Sequence, residues 1–173
     1  MSEKVITLPQ LLRSRDVRHE RQLEYLGRYP GKTLVVLSIV MPGSVKRNQL
    51  SLAAAKAAVT ALLEAFCPTA AVFDTFDLET GYETFIMTSM SQQEAKRTAC
   101  DIEDTHPLGR LFDIDVFGDD RRPISRTFLG LPGRKCLVCG DDARVCMRLG
   151  RHSYDDLTRT IADMIESYER NEL

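Results

Sequence analysis

The chain has 173 residues, 23 basic against 25 acidic side chains for a formal charge of −2, and 43% hydrophobic residues, the balance of an ordinary globular protein. That length suits a single domain over residues 1–173 with a core that needs no disulfide framework, and the near-neutral total excludes the basic excess of a general nucleic-acid binder. The charged start lacks a signal-like apolar region, and no run approaches the ~20 apolar residues of a membrane span, so the expected setting is cytoplasmic, with neither membrane nor nucleic acid as partner.

Leu8, Leu11, Leu12, Leu23 and Leu26 recur near helical spacing as far as Tyr29-Pro30-Gly31, which predicts one helix or two short ones. Residues 33–41, TLVVLSIVM, are β-branched and continuous and predict a central strand, stopped by Pro42-Gly43-Ser44. From Asn48 to Phe66 an Ala- and Leu-rich run without Gly or Pro predicts a helix. Residues 70–89 read as two strands around Glu79-Thr80-Gly81. Ser91 followed by Glu94 is a capping-box signature for a helix to Asp104.

The segment RLFDIDVF (110–117) alternates into a strand with Phe112, Ile114 and Val116 on one face, and a further strand is expected around Ile124 to Leu129. A last helix from about Tyr154 to Tyr168 has Ser153 as its N-cap. The order implies an α+β fold: a ferredoxin-like βαββαβ core, its antiparallel-dominated sheet carrying helices on one face, with an N-terminal helix, a Cys/His-rich elaboration (131–152) and a C-terminal helix (153–170).

Three features carry chemistry. Asp113 and Asp115, two apart on a strand, project from one face; they form either a solvated polar face or a site for a hard divalent cation against a polyphosphate. Arg110 and His106 stand just upstream, Arg as a clamp for phosphate oxygens. Cys136, Cys139, Cys146 and His152 have the spacing of a structural zinc site; buried unpaired thiols and a redox pair are the alternatives. Arg13, Arg15, Arg18 and Arg21 form either a solvated helix face or, with Lys46 and Arg47 just before a helix, an anion site.

The stretches SRDVRHERQ (14–22), MPGSVK (41–46), HPLGRLFDIDVF (106–117) and GRKCLVC (133–139), with Cys146 and His152, together resemble the apo-citrate lyase phosphoribosyl-dephospho-CoA transferase family from about Leu8 to His152. The resemblance implies transfer of the phosphoribosyl-dephospho-CoA group from 2′-(5″-triphosphoribosyl)-3′-dephospho-CoA to a serine of the apo acyl-carrier subunit of citrate lyase, with release of diphosphate. It implies Mg²⁺ or Mn²⁺ at Asp113 and Asp115, with Arg110, Lys46 and Arg15 on the triphosphate. It assigns no general base, and His106 is the candidate by its near-neutral titration. The rival readings are the equivalent transferase for another acyl-carrier protein, and a non-catalytic zinc-stabilised module that binds through the basic segment from Arg134 to Arg151.

The net charge averages unlike parts: residues 1–50 carry +5, residues 51–130 carry −6 and residues 131–173 carry −1. An acidic centre flanked by basic segments suits a metal-bridged polyphosphate.

Overall fold

The computed structural model describes residues 3–172. Thr7 and Gln10 cap each other's backbone at the start of α1 (Leu8–Arg28), a reciprocal box that satisfies two orphan N–H groups and starts one uninterrupted helix. β1 (Thr33–Ile39) is buried along its first five residues, as its continuous apolar run requires. Asn48 and Ser51 form the same kind of box before α2 (Gln49–Phe66). By length and composition the stretch Gln49–Thr69 could cross a membrane, which corrects the expectation that no run approaches a span; Ala54, Ala55, Ala58, Leu62 and Phe66 are instead buried in the core.

β2 (Ala70–Leu78) and β3 (Gly81–Thr88) make the expected hairpin. Ser91 and Glu94 box the start of α3 (Gln92–Thr105), and a 3₁₀ turn over Gly109–Leu111 leads into β4 (Phe112–Phe117). The four strands form one sheet in the order β2-β3-β1-β4, every neighbouring pair antiparallel, so the molecule is α+β with an antiparallel sheet.

Alternation along the strands sends side chains to two different layers. Val35, Leu37, Ile86, Phe112, Ile114 and Val116 pack with α2, α3 and the last helix, α5 (Tyr154–Glu172). Leu34, Val36, Phe85, Met87 and Phe117 pack under Leu26, Tyr25 and Tyr29 of α1. The expectation of helices on one face therefore holds for α2, α3 and α5, and α1 covers the opposite face.

Two further differences lie after β4. No strand forms at 124–129: Pro123 makes only an isolated bridge to Phe117, and Thr127–Leu129 is a 3₁₀ turn. Arg121 has φ 59°, Pro123 has no N–H to give a ladder, and the chain then turns at Thr127–Leu129 instead of extending. Inside the cysteine segment a short helix, α4 (Ala143–Leu149), is capped by Asp142 and closed at Gly150, φ 54°. Near the start of the chain, Val5 bridges Val45 and the Ile6 N–H donates to the Ser44 carbonyl at 2.8 Å, which ties the loop after β1 to the residues before α1.

Candidate active site

Phe112, Ile114 and Val116 are buried while Asp113 and Asp115 are exposed, so the two carboxylates leave the sheet on the face that α1 covers. The antiparallel register aligns Asp113 with Ser38 of β1, which in turn pairs with Glu83 of β3; Asp115 aligns with Val36 and then Phe85. One sheet face thus presents Asp113, Asp115 and Glu83 toward one helix. Glu83 is almost fully buried, and Arg18 and Arg21 of α1 reach its two oxygens at 3.5 and 3.1 Å. Arg21 also lies 3.9 Å above the Phe76 ring, a favourable cation–π placement.

Burial among these neighbours pushes the Glu83 carboxyl up and the two arginines oppose that shift. Asp115 keeps a solvent-facing side, yet loss of water on its other sides raises it, and the charge of Asp113 raises it further; Lys96, Arg18 and Arg134 oppose the shift. Two carboxylates whose charges act on one another, with Arg18 and Arg134 nearby, could hold a divalent cation.

Two cations face each other at the same end of the sheet. Lys46 donates to the Met41 carbonyl at 2.6 Å, and its ammonium is held below the ordinary lysine range by burial and then by the charge of Arg15. Such mutual repulsion is relieved by an anion. Arg110, in the turn before β4, is likewise lowered by burial and then by Arg134. Arg134, from the cysteine segment, donates to Asp113 Oδ1 at 3.3 Å. Sequence spacing gave no reason to pair Arg134 with a residue 21 positions earlier, and it counted there only as part of a basic stretch.

Two other expected site residues lie elsewhere. His106 caps the end of α3, accepts a hydrogen bond from the Leu108 N–H on Nδ1 (3.0 Å), and packs its ring against Phe112 and Tyr168. Phe112 and Tyr168 belong to the core on the α2, α3 and α5 side, so the imidazole and the carboxylates occupy opposite faces of the sheet. Arg47 is engaged by Asp77 of β2, Nε to Oδ1 at 2.6 Å and Nη2 to Oδ2 at 2.7 Å. That bidentate pair lies at the start of α2, on the strand at the far edge from β4.

The cysteine spacing does close into a cluster. One ligand atom each from Cys136, Cys139, Cys146 and His152 lies within 4.8 Å of the others, and the Cys139 and Cys146 sulfurs are 3.5 Å apart. Tetrahedral zinc with thiolate bonds of roughly 2.3 Å would set its sulfurs about 3.8 Å apart. Among the described residues His152 Nε2 is buried with no hydrogen-bond partner, and its side chain lies against the Cys139 thiol. The Asp141 backbone N–H, and after it the Cys146 and His152 side chains, hold the Cys139 thiol low, whereas burial and the adjacent thiols push Cys146 up to about 12. This Cys₃His set can bind a metal ion.

The family model for "Apo-citrate lyase phosphoribosyl-dephospho-CoA transferase" matches residues 6–168. The chain belongs to that family. A probable apo-citrate lyase phosphoribosyl-dephospho-CoA transferase of Vibrio cholerae serotype O1 (strain M66-2) is 36% identical over 94% of this chain and 93% of its own length. One from Streptococcus pyogenes serotype M18 is 34% identical over 96% of this chain and 89% of its own. Protein CitXG of Haemophilus influenzae is 32% identical over 95% of this chain, which matches 36% of that longer protein. Membership of the transferase family covers both the α1-covered sheet face and the Cys/His cluster, and it agrees with the resemblance carried by residues 106–117 and 133–139.

Proposed function

We propose that this chain is a single transferase domain that moves the phosphoribosyl-dephospho-CoA group of 2′-(5″-triphosphoribosyl)-3′-dephospho-CoA to a serine of the apo acyl-carrier subunit of citrate lyase. Its family membership supports the reading. The observation that carries the site is the pair Asp113 and Asp115 on one sheet face, with Arg134 on Asp113 and the charges of Arg18 and Arg134 acting on Asp115. The serine oxygen forms a bond to the α-phosphorus, the bond from that phosphorus to the diphosphate breaks, and the diphosphate leaves with the electron pair. The serine loses its proton and the diphosphate accepts one.

Asp113 and Asp115 would hold Mg²⁺ or Mn²⁺, which when bound supplies positive charge against the triphosphate oxygens. Arg15 and Lys46, crowded together on the same side, would bind the outer phosphates; Arg110, beside Arg134 at the entry to β4, would add a third cation. Arg18 is fixed by Glu83 and orients toward Asp115, where it would steady the reacting phosphate. Because His106 packs on the opposite sheet face, it has no part in this scheme.

The Cys/His cluster would hold a structural Zn²⁺: four protein ligands leave no open position for substrate. The strand order β2-β3-β1-β4, with α2 and α3 each linking a pair of strands, supports the ferredoxin-like reading of the core. Five unbridged thiols support a reducing, cytoplasmic setting.

The test is incubation with the apo carrier subunit, triphosphoribosyl-dephospho-CoA and Mg²⁺, following carrier mass and diphosphate release. Asp113→Asn should slow transfer by about 100-fold or more, as loss of one electrostatic contact in a transfer site does. Unchanged transfer by that variant would overturn the assignment of the site.

A further inference from the structure

We propose that Arg134 is a positioning residue that sets Asp113 for the reaction without touching the substrate; this rests on the assignment of Asp113 above. The guanidinium makes four contacts. Nη1 donates to Asp113 Oδ1 at 3.3 Å, and Nη2 donates to the carbonyls of Phe112 at 2.7 Å, Arg110 at 3.0 Å and Gly109 at 3.4 Å. Those three carbonyls belong to the 3₁₀ turn and to the first residue of β4. β4 is an edge strand, so its outward carbonyls have no neighbouring strand to pair with. Arg134 takes the place of that strand at the start of β4 and holds the backbone and the carboxylate of adjacent residues with one rigid fork.

The fork is itself fixed. The Arg134 carbonyl accepts from the Ala143 N–H at 2.9 Å, and the next residue, Lys135, bridges Asp142. Its backbone therefore belongs to the Cys/His knuckle while its side chain belongs to β4. The guanidinium occupies only one oxygen of Asp113, which leaves Oδ2 for a cation and limits the rotamers of the carboxylate. An arginine with three of its contacts on main-chain carbonyls has little freedom left to bind a phosphate.

The experiment compares full-length wild type, Arg134→Ala and Arg134→Lys in two readouts: steady-state transfer to the apo carrier, and amide hydrogen exchange of residues 109–116. Positioning predicts that Arg134→Ala lowers kcat about tenfold or more with KM for the nucleotide donor nearly unchanged, and that exchange over 109–116 quickens about tenfold while β1 and the β2–β3 hairpin are unaffected. Lysine keeps the charge but cannot span three carbonyls and a carboxylate, so Arg134→Lys should exchange fast and keep most of the kcat defect.

A rise in donor KM at constant kcat would overturn the proposal in favour of direct substrate contact. Full recovery of kcat in Arg134→Lys would overturn it in favour of charge alone, and so would exchange indistinguishable from wild type in Arg134→Ala. Because exchange is read without substrate, these outcomes remain separate from an active Asp113→Asn, which would instead defeat the assignment of Asp113.

Discussion

A single glycine governs how closely β4 can follow α3. A Cβ built on Gly109 would lie 2.5 Å from the carbonyl oxygens of both Ile102 and Glu103, and 2.8 Å from the Glu103 carbonyl carbon. These are main-chain atoms in the last turns of α3, and no rotamer change clears them. Gly109→Ala should therefore destabilise the fold by about 2–3 kcal/mol, measured by urea unfolding; a change under about 0.5 kcal/mol would show that the turn adapts. The glycine of HPLGRLFDIDV has a packing reason independent of catalysis. Gly43 is a different case: with φ 74° and the Tyr154 ring directly over it, it lets the loop that carries Lys46 lie against the start of α5.

At the scale of the element, β4 is an edge strand whose open side is finished by side chains. Besides Arg134 on Phe112, the buried Lys96 ammonium donates to the Ile114 carbonyl at 2.7 Å, and Glu103 accepts from the Ile114 N–H at 2.9 Å. The Ile124 N–H then reaches the Val116 carbonyl. Two charged residues of α3 thus complete a ladder that no strand supplies, and Arg126 closes the group by pairing Glu103 and Asp104. Burial raises the Glu103 carboxyl, and Arg134, the Ile114 N–H, Lys96 and Arg126 oppose without cancelling it.

A carboxyl raised in the folded state holds its proton to higher pH than the unfolded chain does, so its contribution is full below the unfolded value near pH 4.3 and declines as pH rises through the folded value. Glu103→Gln cannot titrate. Its stability relative to wild type should therefore climb as pH is raised from about 4 toward 7, read as paired urea melts across that range, and a flat difference would show that Glu103 titrates normally.

For the whole molecule, the parts legible in the sequence are those with local causes. The Ser91–Glu94 box, the Ala- and Leu-rich run from Asn48, the alternation of β4 and the cysteine spacing each depend on neighbours within a few positions, and each reappears in the fold. Which of the spaced arginines would matter was not legible. Arg18 and Arg21 meet Glu83 across more than 60 residues, and Arg134 meets Asp113 across 21. His106 and Arg47 had suitable chemistry and neighbouring motifs, but packing against Phe112 and Tyr168 in the core holds the first away from the carboxylates and the Asp77 pairing holds the second. The strand expected at 124–129 failed because only Ile124, Phe128 and Leu129 are apolar there, with no period of two, and the backbone turns at Arg121 and again at Thr127–Leu129.

The proposed zinc in the knuckle would also be a whole-molecule matter, since 136–152 joins the sheet to α5. Reduced, chelator-washed protein should contain about one equivalent of Zn²⁺, absent in Cys136→Ser, with a lower melting temperature in the variant. A metal-free wild type of equal stability would exclude the structural role.

The bridge between Val5 and Val45 has a consequence for binding entropy. A lysine on an open loop keeps many conformations until an anion arrives, and ordering it then weakens affinity. Here the loop that carries Lys46 is stitched at Ser44 and Val45 to residues some 40 positions earlier, so its freedom is removed when the chain folds, before any donor is bound. The ammonium proposed to bind the outer phosphates is thus preorganised by the segment that leads into α1, and that same helix carries Arg15, whose charge acts on it.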